Sequence, residues 1–259
     1  MKISIIGYTG FIGEYLYNIF NDRYSVKTFS LRNKNIKNLS EEIIFDIFSS
    51  DYVINCAASL NPKTKNDIYL NTDFPVDLVN YNKKFQKNII HFSTINVLIK
   101  ERLDLYTKTK EKSDIKLRDK NEIFIIRLPL VFQRGEKIYK KKGNVSQIYD
   151  YIQSVKLPIY PFIYPGHLYE PIDISQVGNK IVEIFLNKEK RKIINLVGDE
   201  KKSLWDIAFE IASFENKKLI KINTKYFFKF FPHFLKNFIR KQNNILQQLA
   251  SIDHSKHEV

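Results

Sequence analysis

The chain has 259 residues, a length that suits one large domain or two small ones. Apolar residues make up 44% and charged residues 27%, a balance that excludes disorder for most of the chain. A single cysteine, Cys56, excludes a disulfide framework, and the net charge of +14 comes mostly from lysines spread along the chain, which does not indicate nucleic-acid binding.

Short apolar runs alternate with helical patterns over the first half of the chain. Ile12, Leu16 and Ile19 recur at helical spacing, for example, directly after an apolar run at 2–6. The predicted strands are 2–6, 26–31, 52–56, 88–92 and 123–128, and the predicted helices are the segment ending at Phe20, 40–48, 74–87 and 105–118. This alternation predicts an α/β fold of the Rossmann type, a doubly wound parallel sheet with helices on both faces.

The pattern loosens after Pro129. Residues 133–170 are rich in glycine and proline and are typical of loops around one helix near 145–155. The remaining predicted elements are a helix over 174–187, a strand over 193–197 and a helix over 203–214 with Ser203 as N-cap. We therefore expect a dinucleotide-binding domain from 1–132 and 167–198, and a small C-terminal substrate-binding region from 133–166 and 199–259.

Glycines follow the first strand at the spacing G-x-x-G-x-x-G. Gly7 permits a tight turn, Gly10 lets the backbone approach a pyrophosphate, and Gly13 lets helix and strand pack closely. The N-terminus of the next helix would offer its N–H groups to the phosphates. The predicted cofactor-binding residues here and at the ends of later strands are Gly7, Thr9, Gly10, Phe11, Ile12, Ala57, Ala58 and Pro129.

The end of the second strand bears on the choice of cofactor. An acidic residue there would bond the ribose hydroxyls of NAD, but this sequence has Ser30 and then Arg32. A serine and an arginine fit a 2′-phosphate better, which favours NADP(H), with NAD(H) as the alternative. Arg32 could equally be a solvated residue at a strand end.

A hydroxyl-rich strand end and a tyrosine–lysine pair form the candidate catalytic site. Thr94 ends a strand, and Tyr106 and Lys110 lie four residues apart on a predicted helix, so their side chains share one face. The lysine is expected to lower the pKa of the tyrosine, which could then exchange a proton with a sugar hydroxyl while a nicotinamide exchanges hydride. Thr94 would bond the same substrate oxygen.

Taken together, these motifs resemble the extended short-chain dehydrogenases/reductases, the epimerase/dehydratase group that modifies nucleotide sugars. The matching segments, in family order, are KISIIGYTGFIG from Lys2, VINCAA from Val53, YLNTDFPVDLV around Asn71, HFSTINV from His91, YTKTK from Tyr106, IIRLPLVF from Ile125, INLVGDEKKSLWDIA from Ile194 and LASIDHSK from Leu249. The resemblance implies a Rossmann fold, a bound NAD(H) or NADP(H), and a triad of Thr94, Tyr106 and Lys110, of which Tyr106 and Lys110 would also contact the cofactor. It further implies a 4-epimerase or 4-ketoreductase, placed in surface polysaccharide biosynthesis, with Ser93, Asn96 and His167 contacting substrate.

Several alternatives stay open. The chain could instead reduce another small carbonyl compound, or be a non-catalytic dinucleotide-binding regulator of the same fold. Ile95 and Asn96 stand where dehydratases of the group carry an acidic pair, which argues against dehydration. The aromatic and basic segment 226–239 could lie on a membrane surface or pack within the substrate region. No metal is expected, and the chain is either a monomer or a homodimer.

The N-terminal apolar stretch is too short for a signal peptide, and no apolar run reaches the length of about 18 residues that a membrane-spanning helix needs. These features predict a cytoplasmic protein.

Overall fold

The structure is a computed structural model. It describes residues 1–31, 36–100, 104–135, 139–140, 142–154, 159–164 and 168–223, without the side chains of 144, 147, 159–164, 222 and 223. The chain divides into two compact units. Unit 1 comprises Met1–Leu128 and Ile174–Leu196, and unit 2 comprises Pro129–Asp173 and Val197–Val259.

Unit 1 contains a six-stranded sheet. Its strands are β1 (Lys2–Ile6), β2 (Ser25–Phe29), β3 (Tyr52–Asn55), β4 (Asn88–Thr94), β5 (Ile123–Leu128) and β10 (Ile193–Asn195). They lie in the order β10-β5-β4-β3-β1-β2, and all neighbouring strands run parallel. This arrangement confirms the predicted Rossmann-type parallel sheet.

Helices cover both faces of this sheet. They are α1 (Phe11–Phe20), α2 (Glu41–Phe48), α3 (Lys65–Thr72), α4 (Phe74–Asn82), α5 (Leu105–Leu117) and α7 (Ile174–Phe185). Tyr52 and Val53 are consecutive in β3 and therefore point to opposite faces. The Tyr52 ring contacts Phe185 of α7, whereas Val53 joins a core with residues of α2, α4 and α5.

The sequence did not predict α3. The segment KNDIYLNT has no apolar periodicity, so its helix depends on its first turn. There Thr64 accepts a hydrogen bond from the Asp67 N–H while the Asp67 carboxylate accepts one from the Thr64 N–H, a capping box. The predicted helix 74–87 is shorter in the structure, because α4 ends at Asn82 and Gln86 has a positive φ of 54°.

The described residues of unit 2 form two helices and three pairs of strands. The helices are α6 (Asn144–Ser154) and α8 (Leu204–Phe214), and the strands are β6 (Val131–Phe132), β7 (Ile159–Tyr164), β8 (Leu168–Tyr169), β9 (Ile172–Asp173), β11 (Lys202–Ser203) and β12 (Lys218–Asn223). Ser203 caps α8 as expected, accepting from the Asp206 N–H. None of these strands was predicted. Four of them have only two residues and carry no periodicity, and the two longer ones, β7 and β12, pair with each other from distant parts of the sequence. Trp205 lies in the apolar core of this unit. Within the described residues, no helix is long and apolar enough to cross a membrane.

Candidate functional site

The turn after β1 is built on glycine backbone. Gly7 has a φ of +79°, which an L side chain rarely adopts, and its N–H donates to the Phe29 carbonyl at 2.8 Å. The Gly10 N–H then donates to the Gly7 carbonyl at 3.0 Å, and α1 begins at Phe11. Gly10 occupies the N-cap and has no side chain to accept from the N–H groups of the first turn of α1, an arrangement that suits an anionic ligand.

The three glycines differ in what surrounds them. A Cβ on Gly13 would lie 2.4 Å from the Gly7 carbonyl oxygen, and one on Gly7 would lie 2.7 Å from the Ala57 nitrogen. These two positions require glycine for packing within the protein. A Cβ on Gly10 would meet only the Gly7 carbonyl oxygen at 3.4 Å, an ordinary contact. Gly10 therefore borders open space, and the turn fits a pyrophosphate at that point.

The loop after β3 closes against this turn. The Ala57 N–H donates to the Oδ1 atom of Asn55 at 3.1 Å, and Ala57 is buried while Ala58 is exposed. Since β1 and β3 are paired parallel neighbours, both loops lie at the carboxyl edge of the sheet. This edge is where open α/β sheets bind their ligands.

The end of β2 is described only in part. Ser30 and Leu31 follow the strand directly, and both are partly buried. Arg32 lies outside the described residues, so its predicted role towards a 2′-phosphate stays a prediction. Asp46 lies within α2 and pairs with Lys27 at 3.0 Å, an exposed ion pair.

The end of β4 carries the predicted hydroxyl groups. Thr94 is buried, and its Oγ1 accepts a hydrogen bond from the Asn96 N–H at 3.3 Å. That bond uses a lone pair of the oxygen and leaves the Thr94 hydroxyl hydrogen for another acceptor. The Ser93 hydroxyl donates to Asp114 of α5 at 2.8 Å, which uses its hydrogen within the fold, and contact of its oxygen with substrate stays a prediction.

Helix α5 presents the tyrosine–lysine pair. Tyr106 is in its first turn, which Asp104 caps by accepting from the Thr107 N–H at 2.9 Å. Lys110 is fully buried, and its Nζ donates to the Phe92 carbonyl of β4 at 2.9 Å. Because α5 contacts β4 and the 3-10 helix Ile95–Leu98 that follows it, Thr94, Tyr106 and Lys110 lie on adjoining elements.

The electrostatics of the pair differ from the sequence-based expectation. Burial, reinforced by the Asp104 carboxylate, raises the pKa of Tyr106 rather than lowering it. The predicted lowering was wrong, because desolvation of the phenolate is the largest effect and the Lys110 ammonium is directed to the Phe92 carbonyl. Burial lowers the pKa of Lys110 to about 8, against the opposing effects of Cys56 and Asp114.

A buried ion pair fixes α5 to the sheet, and sequence reasoning missed it. The Asp114 carboxylate accepts from Nε of Arg127 at 2.9 Å and also from Nη2 of the same guanidinium. The side chains of Asp114 and Arg127 are 4% and 11% exposed. Two signals could have found this pair. Asp114 lies four residues after Lys110 on the same helix face, and Arg127 is the only charged residue in the apolar strand β5.

The structure describes some of the remaining predicted site residues and not others. Pro129 directly follows β5, Asn96 lies in the 3-10 helix, and Thr9, Phe11 and Ile12 lie around the N-terminus of α1. His167 and the segments 226–239 and 249–256 lie outside the described residues. In the part of the chain that the structure describes, no cluster of His, Cys, Asp or Glu could hold a metal ion.

His91 of β4 is a buried histidine with only one ring nitrogen hydrogen-bonded among the described residues. Its Nδ1 lies 3.1 Å from the Asn55 amide nitrogen, but its buried Nε2 has no hydrogen-bond partner among the described residues. Burial, together with the charge of Lys110, lowers the pKa of His91 well below its usual value. The imidazole is therefore neutral at physiological pH.

Comparison with solved structures identifies the fold. No protein-family model and no curated protein matches the sequence. A dTDP-4-dehydrorhamnose reductase of Clostridium acetobutylicum superposes with a TM-score of 0.72 at 18% identity, over 88% of this chain and 85% of that chain. A dTDP-4-dehydrorhamnose reductase of Bacillus anthracis, solved with NADP, gives 0.71 at 15% identity over 87% and 85% of the two chains. A UDP-glucuronic acid 4-epimerase of Bacillus cereus, solved with NAD, gives 0.64 at 20% identity over 86% and 85%.

These similarities establish a shared architecture. The chain has the Rossmann-type fold of those proteins, as its sequence predicted. At identities of 15–20% they do not establish an activity for this chain.

Proposed function

We propose that this chain is an extended short-chain dehydrogenase/reductase that binds NADP(H), with NAD(H) as the alternative. Its proposed reaction is that of a nucleotide-sugar 4-ketoreductase or 4-epimerase. The observation that carries the proposal is the placement of Thr94, Tyr106 and Lys110 on adjoining β4 and α5, in the same sheet whose carboxyl edge bears the glycine turn.

The glycine turn supports dinucleotide binding. Gly7 and Gly13 are needed by the fold itself, whereas the space beside Gly10 is open. A pyrophosphate would receive backbone N–H groups from the first turn of α1, near Phe11 and Ile12. Ala57 and Ala58 would form the neighbouring wall at the end of β3.

The catalytic residues have distinct proposed roles. A bound nicotinamide would supply or accept the hydride. Tyr106, whose raised pKa keeps its phenol protonated, suits the donation of a proton to a carbonyl oxygen. Thr94 would donate its hydroxyl hydrogen to the same oxygen and orient it. Lys110, whose Nζ donates to the Phe92 carbonyl, would place its positive charge near the Tyr106 phenol.

The protonated phenol supports the reductive direction. A group that starts as an acid serves reduction of a ketone directly, whereas oxidation of an alcohol first needs a phenolate. A cationic nicotinamide beside Tyr106 would favour that phenolate, so epimerisation stays within the proposal. Reduction of another small carbonyl compound and non-catalytic dinucleotide binding are the alternatives.

Titration calorimetry with NADPH and NADH tests the cofactor. We expect NADPH to bind more tightly than NADH. We also expect Arg32→Ala to weaken the binding of NADPH without weakening that of NADH. Tighter binding of NADH to the unaltered chain would reverse the cofactor preference. No binding of either would refute the dinucleotide site.

Single-turnover oxidation of bound NADPH by a 4-keto nucleotide sugar tests the reaction. We expect hydride transfer to this substrate and none to simple ketones of similar size. Transfer to the simple ketones alone would favour the small-carbonyl alternative, and binding without transfer would favour the regulator.

The resemblance also supports a setting for the protein. We propose a cytoplasmic enzyme of surface polysaccharide biosynthesis, acting as a monomer or homodimer. Weak association of 226–239 with a membrane surface is a further prediction, which co-sedimentation with anionic vesicles would test.

A further inference from the structure

A buried hydrogen-bonded chain leads from the loop after β3 into the sheet. The Ala57 N–H donates to Oδ1 of Asn55 at 3.1 Å, and Nδ2 of Asn55 lies 3.1 Å from Nδ1 of His91. Asn55 and His91 are register partners on β3 and β4, and they are 1% and 0% exposed.

The direction of each hydrogen bond in this series follows from the Ala57 N–H. A backbone N–H can only donate, so the Asn55 oxygen faces Ala57 and the Asn55 amide nitrogen faces His91. Nδ1 of His91 must then accept, which places the ring proton on Nε2. The low pKa of His91, caused by burial and by Lys110, is consistent with this neutral ring.

The unpaired Nε2 indicates which ring nitrogen of His91 has a structural role. Burying that N–H without a partner is unfavourable, and an apolar side chain of the same size would avoid it. The paired Nδ1 is therefore the functional end of the ring. It gives the Asn55 amide a defined orientation, and that orientation holds the Ala57 N–H.

Ala57 in turn limits the glycine turn. Its nitrogen lies 2.7 Å from the point where a Cβ of Gly7 would stand, so the two loops are in close contact. Any displacement of the loop after β3 would alter the space in front of Gly7 and Gly10.

We propose that His91 is a positioning residue for the dinucleotide. Through Asn55 it fixes the loop at 56–58 against the glycine turn, and it sets the affinity for the dinucleotide without touching it. This inference rests on the proposed dinucleotide site.

Calorimetry on matched variants tests this role. His91→Phe keeps a ring but removes the acceptor, and His91→Gln restores an acceptor. Ser4→Ala is the control, because it removes another buried hydrogen bond, between Ser4 of β1 and Ser50 in the turn before β3, that does not reach the loop at 56–58. We expect His91→Phe to raise the Kd for NADPH about tenfold, the scale of one lost hydrogen bond, and His91→Gln to recover most of it. Ser4→Ala should leave the Kd unchanged even if the melting temperature falls.

Three results would overturn the inference. They are an unchanged Kd in folded His91→Phe, an equal loss in Ser4→Ala, and no recovery in folded His91→Gln. Absence of dinucleotide binding by the unaltered chain would refute the proposed function instead, and this inference with it.

Nitrogen NMR of the unaltered chain measures the tautomer of His91 directly, without reference to ligand affinity. With ¹⁵N-labelled histidine, we expect one of the five histidines to be a neutral Nε2–H tautomer at pH 6 that is absent from the His91→Gln or Asn55→Ala spectrum. A charged ring or an Nδ1–H tautomer at His91 would contradict the arrangement.

Discussion

The phenol of Tyr106 is the group whose loss should affect the proposed reaction most. Tyr106→Phe keeps the ring and its packing, so we expect little change in stability or in NADPH binding. The rate of single-turnover hydride transfer should fall by roughly a hundred- to ten-thousand-fold, the usual contribution of general acid–base catalysis. Tyr81→Phe in α4 is the control and should react normally. A Tyr106→Phe enzyme of unaltered rate would assign the proton to another group.

The glycine turn allows fold and function to be separated one residue at a time. Gly13→Ala places a Cβ 2.4 Å from the Gly7 carbonyl oxygen, and we expect it to destabilise the fold by about 1–3 kcal/mol. Gly10→Ala has room and a φ of −83°, so its free energy of unfolding should stay within about 0.5 kcal/mol of the parent. Gly10→Ala should nevertheless weaken the binding of NADPH. Urea unfolding measures the stability of both variants, and calorimetry measures their affinity for NADPH. Unaltered affinity in Gly10→Ala would place the pyrophosphate elsewhere.

Lys110 should make stability depend on pH. Its pKa is about 8 in the folded chain, against an ordinary 10.5, so the unfolded chain binds more protons between these values and stability rises with pH there. Lys110→Met has no such dependence. The unfolding free energy of Lys110→Met minus that of the parent should therefore fall by roughly 1–2 kcal/mol between about pH 7.5 and about pH 9.5.

Lys108→Met removes a lysine from the exposed side of the same helix and is the control for the loss of a charge from α5. If the difference between Lys110→Met and the parent did not change with pH, the buried amine would titrate alike in the folded and unfolded chains.

At the scale of elements, the position of α5 depends on one buried ion pair. Asp114→Ala leaves the guanidinium of Arg127 buried without its carboxylate, and we expect a loss of about 3–5 kcal/mol. Lys116→Ala, on the same helix, removes an exposed ion pair with Asp73, which precedes α4. The side chains of Lys116 and Asp73 are 52% and 47% exposed, so this change should cost less than about 1 kcal/mol. Chemical denaturation of both variants gives the comparison. Equal costs would mean that the buried pair does not stabilise α5.

The sequence predicted those elements that have strong periodicity. β1, β3, β4 and β5 are apolar runs buried on both faces, and α1 and α7 repeat apolar residues at helical spacing. It missed α3, whose stability comes from a capping box rather than an apolar face. It also missed β12, which pairs with β7 across more than 50 residues of sequence.

The site was predictable where it depends on local spacing. Tyr106 and Lys110 are one helical turn apart, and the glycines follow a strand directly, so one element suffices to relate them. The pairs Asn55–His91 and Asp114–Arg127 cross between strands or from helix to strand. Their partners depend on sheet register, which no local pattern determines, and the raised pKa of Tyr106 depends on burial in the same way.

At the scale of the whole molecule, each unit has its own proposed task. Among the described residues, the interior of unit 1 comes from those before 129 and from 174–196. Removing residues 226–259 should therefore abolish binding of a nucleotide sugar and leave NADPH binding largely intact. Calorimetry with each ligand in turn measures this. Loss of both would mean that the segment belongs to the structure of unit 1.

The order in which unit 1 is assembled along the chain has a consequence during synthesis. β10 pairs with β5 and α7 covers Phe20 and Tyr52, yet both elements follow the 45 residues of Pro129–Asp173. While that segment is being translated, the outer edge of β5 has no neighbour and the aromatic face of the sheet has no cover. Unpaired edges and exposed apolar faces promote association between chains. The nascent chain is thus most vulnerable to aggregation on the ribosome between the emergence of β5 and that of β10, a window in which a chaperone that shields apolar surface would increase the yield of folded protein.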